Sequence, residues 1–555
     1  MKAWTGRETI ASGRVVIQLA LVCLIGALSA CSGNDSTYPV GGNVSGLSTT
    51  GLVLSNGSDT LQVAANATSF MFSKRLAAGA TYAVTIQAQP GGQTCLVGHG
   101  TGTVASVGVN NVSISCIGPW IWRSGAATKN AVGVYGTRGV AAAGNVPGAR
   151  VGSMTWTDSA GNFWLFGGTY FDANGDLFLL NDLWRYAPSN GLWTWISGSN
   201  VPAALYGTPG IYGVQGQASP SSMPGARASA ASWIDSAGNL WLFGGFGYDS
   251  ANLFTLNDLW KYSPDTGEWT WVSGPSSAAT PTAAYGIQGV PAPTNLPPQR
   301  QGSVAWIDST GNLWLFGGTG VIPGANVNTA GTLNDLWTFS PVTGEWTWVR
   351  GSSTANPSAG YGTLGTAASS NDPGGRFAAA SWRDSADNLW LFGGIALDGY
   401  HNDLWKFTPN TNQWTWVSGP NTPNGLGVYG TQGSSAAVNV PGSRIAAASW
   451  IDASGNFWLF GGDGVSSPQT SSLFNDLWMY SPGTGQWTWI SGSSSGDLAG
   501  VYGTLGAAAP TNAPGGRGGA AAWIDGTGNL WLFGGTGTDS PTAGAELNDL
   551  WQYQR

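Results

Sequence analysis

The sequence predicts an all-β protein in two parts, a small sandwich followed by a ring of repeated four-stranded units. Three observations predict it. Of 555 residues, 87 are Gly and 31 are Trp, while only 9% are charged. A disordered chain lacks the tryptophans, and a helical one does not carry so much glycine. Short alternating apolar runs recur between turn signals. Finally, "NDLW" returns at 181, 257, 334, 402, 475 and 548, the mark of an internal repeat.

The first thirty residues read as targeting information. Lys2, Arg7 and Arg14 make a basic start, and residues 15–30 are apolar up to "LSAC", Leu28 to Cys31. This ending resembles a bacterial lipobox, in which cleavage before Cys31 leaves a lipidated N-terminus. Ordinary signal cleavage after Ala30 is the alternative, but Leu28 fits poorly where a small residue is wanted. By the same resemblance, Ser32 in place of Asp implies the outer membrane, on its periplasmic side or at the cell surface. Residues 1–30 are then a signal peptide and 31–37 a lipidated tether. No later apolar run is long enough to span a bilayer.

Residues 38–117 alternate with period two in "GLVLS" (51–55), "YAVTIQAQ" (82–89) and "NVSISC" (111–116). Turn signals about every ten residues predict a small Ig-like sandwich serving as a spacer. With Cys23 in the leader and Cys31 lipidated, Cys95 and Cys116 remain. In an oxidising compartment such a pair is read as a disulfide, worth on the order of 3 kcal/mol in the chain-entropy model.

The repeat is clearest at 227–274. "RASAASWID" is a first strand, and "DSAGN" is a tight turn. "NLWLFGG", apolar on both faces, is a second strand sandwiched between layers. "DLWKYSP" is a third, ended by Pro264, and "EWTWVSG" is a fourth. The last unit starts at Arg517 and stops after three strands, whereas "PWIWRSG" (119–125) is a fourth strand with nothing before it. Joining them gives six complete blades and a closed ring without bare edges. Residues 118–555 are therefore expected to form a six-bladed β-propeller closed by its N-terminal strand.

The Gly-Gly doublet, the following aromatic and the final Trp resemble the kelch motif of propellers such as the central domain of galactose oxidase. The resemblance covers about four-fifths of the chain. It implies that the connections from second to third and from fourth to first strands share one face, and here these are the long ones. That face is the expected interaction surface.

Two repeated elements are candidates for binding. Every first strand opens with arginine, at Arg150, Arg227, Arg300, Arg376, Arg444 and Arg517. They suit a cationic ring at a channel mouth, or one-to-one pairs with Asp182, Asp258, Asp335, Asp403, Asp476 and Asp549. A loop motif Tyr-Gly-(Thr/Ile)-x-Gly marks Tyr135, Tyr206, Tyr285, Tyr361, Tyr429 and Tyr502. These rings suit sugar stacking at a rim, or a turn folded back onto the sheet. In the first unit Asp172, Asn174 and Asp176 have the spacing of an opening calcium loop, but no Glu completes it. No other cofactor is expected.

Composition narrows the chemistry. The chain is acidic, with net charge −8 and no basic run, which disfavours nucleic acid. Copper oxidase chemistry is excluded, since the repeats hold one His, His401, and no Cys. The expected function is a lipid-anchored, monomeric envelope module that serves in binding, adhesion or as a scaffold for a glycan or protein ligand through its long-loop face. The alternative, implied by kelch resemblance, is a sialic-acid mutarotase-like or other carbohydrate-active propeller enzyme.

Overall fold

The computed structural model describes residues 36–555, except 92, 173, 201–206, 324–328 and 539–544. The leader, Cys31 and Tyr206 lie outside the described residues.

The N-terminal part is two four-stranded sheets over one core that includes Val40, Leu54, Phe70, Val84, Val112 and Ile114. Cys95 and Cys116 face each other on neighbouring antiparallel strands and are disulfide-bonded. The strand Val109–Ile117 is followed at once by Trp120–Ser124, which leaves the sandwich and enters the next layer. The two parts touch where Thr94 Oγ1 donates to the Ile490 carbonyl at 2.8 Å.

The remainder is propeller-like, a succession of small antiparallel sheets with one plan. In the first sheet the strands Met154–Thr157, Phe163–Phe171, Leu177–Ala187 and Leu192–Ser197 pair in sequence order. The same order recurs from Ala231–Ile234, Val304–Ile307, Ala380–Arg383 and Ala448–Ile451 onward. The final sheet has Ala521–Ile524, Leu530–Gly537 and Ala545–Tyr553, and its outermost strand is Trp120–Ser124. Trp120 lies opposite Tyr553, and Trp122 opposite Trp551.

In every sheet but the fourth, the double glycine makes a register shift between second and third strands. At Gly167, φ is 61°, and a Cβ would stand 2.5 Å from the Arg227 carbonyl oxygen of the next sheet. Only glycine lets the backbones approach so closely there.

Neighbouring sheets are joined by one aromatic contact used repeatedly. The Phe before each double glycine meets the first Trp of the next sheet's outer strand, with ring centroids 5.1–5.3 Å apart. The pairs are Phe166–Trp269, Phe243–Trp346, Phe316–Trp414, Phe392–Trp487, Phe460–Trp120 and Phe533–Trp193. The last pair brings the sixth sheet onto the first, and Trp120 occupies the place its counterparts hold elsewhere. These rings are buried, and such pairs add about 0.5–1.5 kcal/mol beyond the area they bury.

A second closed circuit runs near the axis. Ser229 N–H donates to the Gly152 carbonyl, Gly302 to Ser229, Ala378 to Gly302, Ala446 to Ala378, Gly519 to Ala446, and Gly152 to Gly519. All six residues have positive φ, between 53° and 69°. Six bonds of 2.8–3.1 Å thus tie the beginnings of the six inner strands to one another.

The connection leading into each sheet folds along that sheet's outer strand before turning inward. Ala218–Ser219 pairs with Thr270 and Trp269, and Ser435–Ala436 with Thr488 and Trp487. Their length therefore has a structural cause: they cover edges that would otherwise expose unpaired backbone groups.

Candidate functional site

The repeated arginines point into the sheets rather than into the channel. Arg227 is fully buried, and its Nη1 and Nη2 donate to Asp258 Oδ1 and Oδ2 at 2.7 and 2.8 Å. Its Nη1 also reaches the Gly244 carbonyl, and its Nε the Gly225 carbonyl. Asp258 Oδ2 further accepts from Tyr212 Oη at 2.7 Å and from Trp260 Nε1 at 2.6 Å. Burial opposes the charge on Arg227, but Asp258 outweighs it and the guanidinium is held more firmly protonated than usual.

The same bidentate pairing joins Arg150 to Asp182, Arg300 to Asp335, Arg376 to Asp403, Arg444 to Asp476 and Arg517 to Asp549. None of the six arginines is more than 2% exposed. A cationic ring open to a ligand is therefore corrected: each guanidinium is spent on its own sheet. The enzyme alternative, which relied on that ring to hold a sugar carboxylate, loses its proposed anchor.

The motif tyrosines occupy the same clusters. The hydroxyls of Tyr135, Tyr285, Tyr361, Tyr429 and Tyr502 donate to Asp182, Asp335, Asp403, Asp476 and Asp549 at 2.7–2.9 Å. Burial first, and then the neighbouring carboxylate, raises each hydroxyl's pKa. In the second unit Tyr212 holds this place, so the assignment of Tyr206 to it is corrected. Stacking platforms at a rim are not what these rings provide; each lies edge-on to a tryptophan, as Tyr212 does to Trp271 at 5.2 Å.

Asp172 is engaged in its own turn. Its Oδ1 accepts from the Asn174 and Asp176 backbone N–H groups at 2.8 and 2.9 Å, while Asn174 Nδ2 reaches Oδ2. These bonds hold the carboxyl below its ordinary pKa, the Asp176 N–H first among them. Among the described residues, no three His, Cys, Asp or Glu gather as metal ligands would.

What differs between sheets is more informative. The axial cavity, 310 Å³, is lined by Thr157, Ile234, Ile307, Ile451 and Ile524 at corresponding positions. The fourth sheet places Arg383 at that position, paired with Asp387. The stretch between its double glycine and its "NDLW" is also the shortest of the six. There His401 is buried, with Nε2 3.0 Å from Asp398 Oδ1, and Tyr400 donates to Asp463 Oδ2 at 3.2 Å. Burial pushes the Asp463 carboxyl up.

Exposed apolar side chains concentrate on the long connections. Val134, Ile211, Val428 and Val501 directly precede a motif tyrosine that bonds to its aspartate, and they are 45–54% exposed. The tyrosine turns inward to its aspartate, so its neighbour turns outward. Val132 on the same connection is 87% exposed and Ile287 73%. Among the described residues, no helix is long and apolar enough to cross a membrane. Scanned against models of known protein families and compared with the curated proteins, the chain matches none.

Proposed function

We propose that the chain is a lipid-anchored envelope protein in which a six-bladed, kelch-type propeller, set on an Ig-like spacer, binds a protein or glycan through its long connections. The observation that carries the reading is the outward row of aliphatic residues before the motif tyrosines. Solvent-facing apolar groups repeated at one structural position suit contact with a partner better than they suit water. Six blades are supported by the two closed circuits, one of backbone hydrogen bonds and one of Phe–Trp contacts. The Ig-like spacer is supported by two packed sheets sharing a disulfide-linked core. The anchor rests on the "LSAC" motif, and outer-membrane placement on Ser32.

The mature chain from Ser32 is to be screened against glycans and against envelope proteins of its source cell. Binding is expected to weaken when Val134, Ile211, Val428 and Val501 are changed together to Ser, with unfolding behaviour unchanged. A ligand that binds the quadruple variant as tightly as the wild type would remove the connections from recognition.

A further inference from the structure

On the opposite side of the sheets, among the tight turns, an open cleft of 860 Å³ lies between the sixth sheet and the first. It falls at the seam where the N-terminal strand completes the last sheet, and there the repeat is broken. The residue after Trp-x-Trp is Ile196, Val272, Val349, Val417 or Ile490 in the other sheets, but it is Arg123 at the seam.

Arg123 has no carboxylate partner among the described residues. Its Nε donates to Gln552 Oε1 at 2.8 Å, and Nη2 donates to the same oxygen. Gln552 Nε2 is in turn turned toward Asp525 Oδ2 at 3.4 Å. The guanidinium is thus held in place by a neutral group, and among the described residues Nη1 is left without a partner. Its charge reaches across the cleft: Tyr186 of the first sheet, pushed by burial up to about 12, is drawn back by Arg123.

The facing wall offers hydroxyl and amide groups, with Ser189 and Asn190 exposed on a turn. The acids at the edges, Asp158 and Asp525, already accept bonds from backbone and tryptophan N–H groups. They leave two fixed negative charges around one cation that lacks a carboxylate partner among the described residues. That balance disfavours phosphates, sulfates and other polyanions, yet leaves a site for one carboxylate.

We propose that this cleft binds a hydroxyl-rich small molecule carrying a single carboxylate, a sugar acid of the uronate type, with Arg123 taking the carboxylate and the Ser189–Asn190 turn facing the hydroxyls. Arg123 and the Ser189–Asn190 turn stand outside the long connections, of which only Gly506 reaches the cleft's lining.

The test is calorimetric titration of the mature chain with D-glucuronate, D-glucose and acetate. D-Glucuronate is expected to bind, and to bind at least about tenfold more tightly than either D-glucose or acetate, because only it offers both a charge-assisted hydrogen bond and the hydroxyl contacts. Arg123→Val is expected to cost about tenfold in D-glucuronate affinity while melting like the wild type, since the other sheets already carry Val or Ile there. Ser189→Trp, on an exposed turn, is expected to block the cleft. No D-glucuronate binding would overturn the proposal. So would unchanged affinity in Arg123→Val or in Ser189→Trp, or D-glucose binding equal to D-glucuronate. Acetate binding as tightly as D-glucuronate would also overturn it, since the site would then recognise a bare anion.

Discussion

In the second sheet Arg227, Asp258, Tyr212 and Trp260 close one set of hydrogen bonds, and the same four residue types do so in each of the other five sheets. At the seam, Arg123 and Gln552 occur once and leave a guanidinium nitrogen unpaired among the described residues. The difference teaches where to look for function in a repeated fold. A charge present in every sheet is neutralised by a partner present in every sheet, because an unpaired buried charge would be costly in each copy. A charge present once has no repeated partner waiting for it. It finds a partner of its own, as Arg383 does in Asp387, or it is screened by water or available to something else.

The comparison breaks most severely if the repeated cluster is opened. Asp258→Ala leaves Arg227 charged and buried, with the Tyr212 and Trp260 donors unpaired. It is expected to destabilise the protein by about 3–5 kcal/mol in denaturant titration. Replacing Arg227 and Asp258 together by Met and Leu should not restore wild-type stability, because the same two donors would still lack an acceptor. Full recovery would mean that the cluster is held by packing alone.

The seam is tested by Trp120→Ala. This buried ring contacts Phe460 and Tyr553, so its loss should cost about 3 kcal/mol. A cost under about 1 kcal/mol would show that the closing strand adds little to the last sheet.

The smallest effect belongs to another single-copy charge. Asp463 stands where the other sheets have Thr169, Phe246, Thr319, Ile395 and Thr536. Burial raises its folded pKa, so the native state retains a proton that the unfolded chain has released, and stability falls as pH rises through that interval. Asp463→Asn keeps an acceptor for Tyr400 and should stabilise slightly at neutral pH. The gain should vanish as pH drops below the ordinary aspartate value of about 3.9. A gain that is independent of pH would assign the effect to something other than ionisation.

Much of this architecture is legible in the order of residues. The strands follow from period-two alternation, the turns from Asp and Gly, and the unfinished last unit from counting. The equal numbers of arginines and aspartates even contain the pairing. Tyr212 is masked because Tyr206 also stands before a glycine. Its signal lies in spacing, since Tyr212 precedes Arg227 by 15 residues, as Tyr135 precedes Arg150 and Tyr285 precedes Arg300.

By itself the sequence determined the all-β class, the repeat, its strand order and the scarcity of groups able to do redox or metal chemistry, because local patterning and composition suffice for these. Only the tertiary structure decided that the arginines face inward, that the long connections cover edges, and that a cation stands without a carboxylate partner at the seam among the described residues. Each depends on which residues meet across hundreds of positions of chain. Arg123 and Gln552 are brought together by closure of the sixth sheet, and no local pattern around either residue records that meeting.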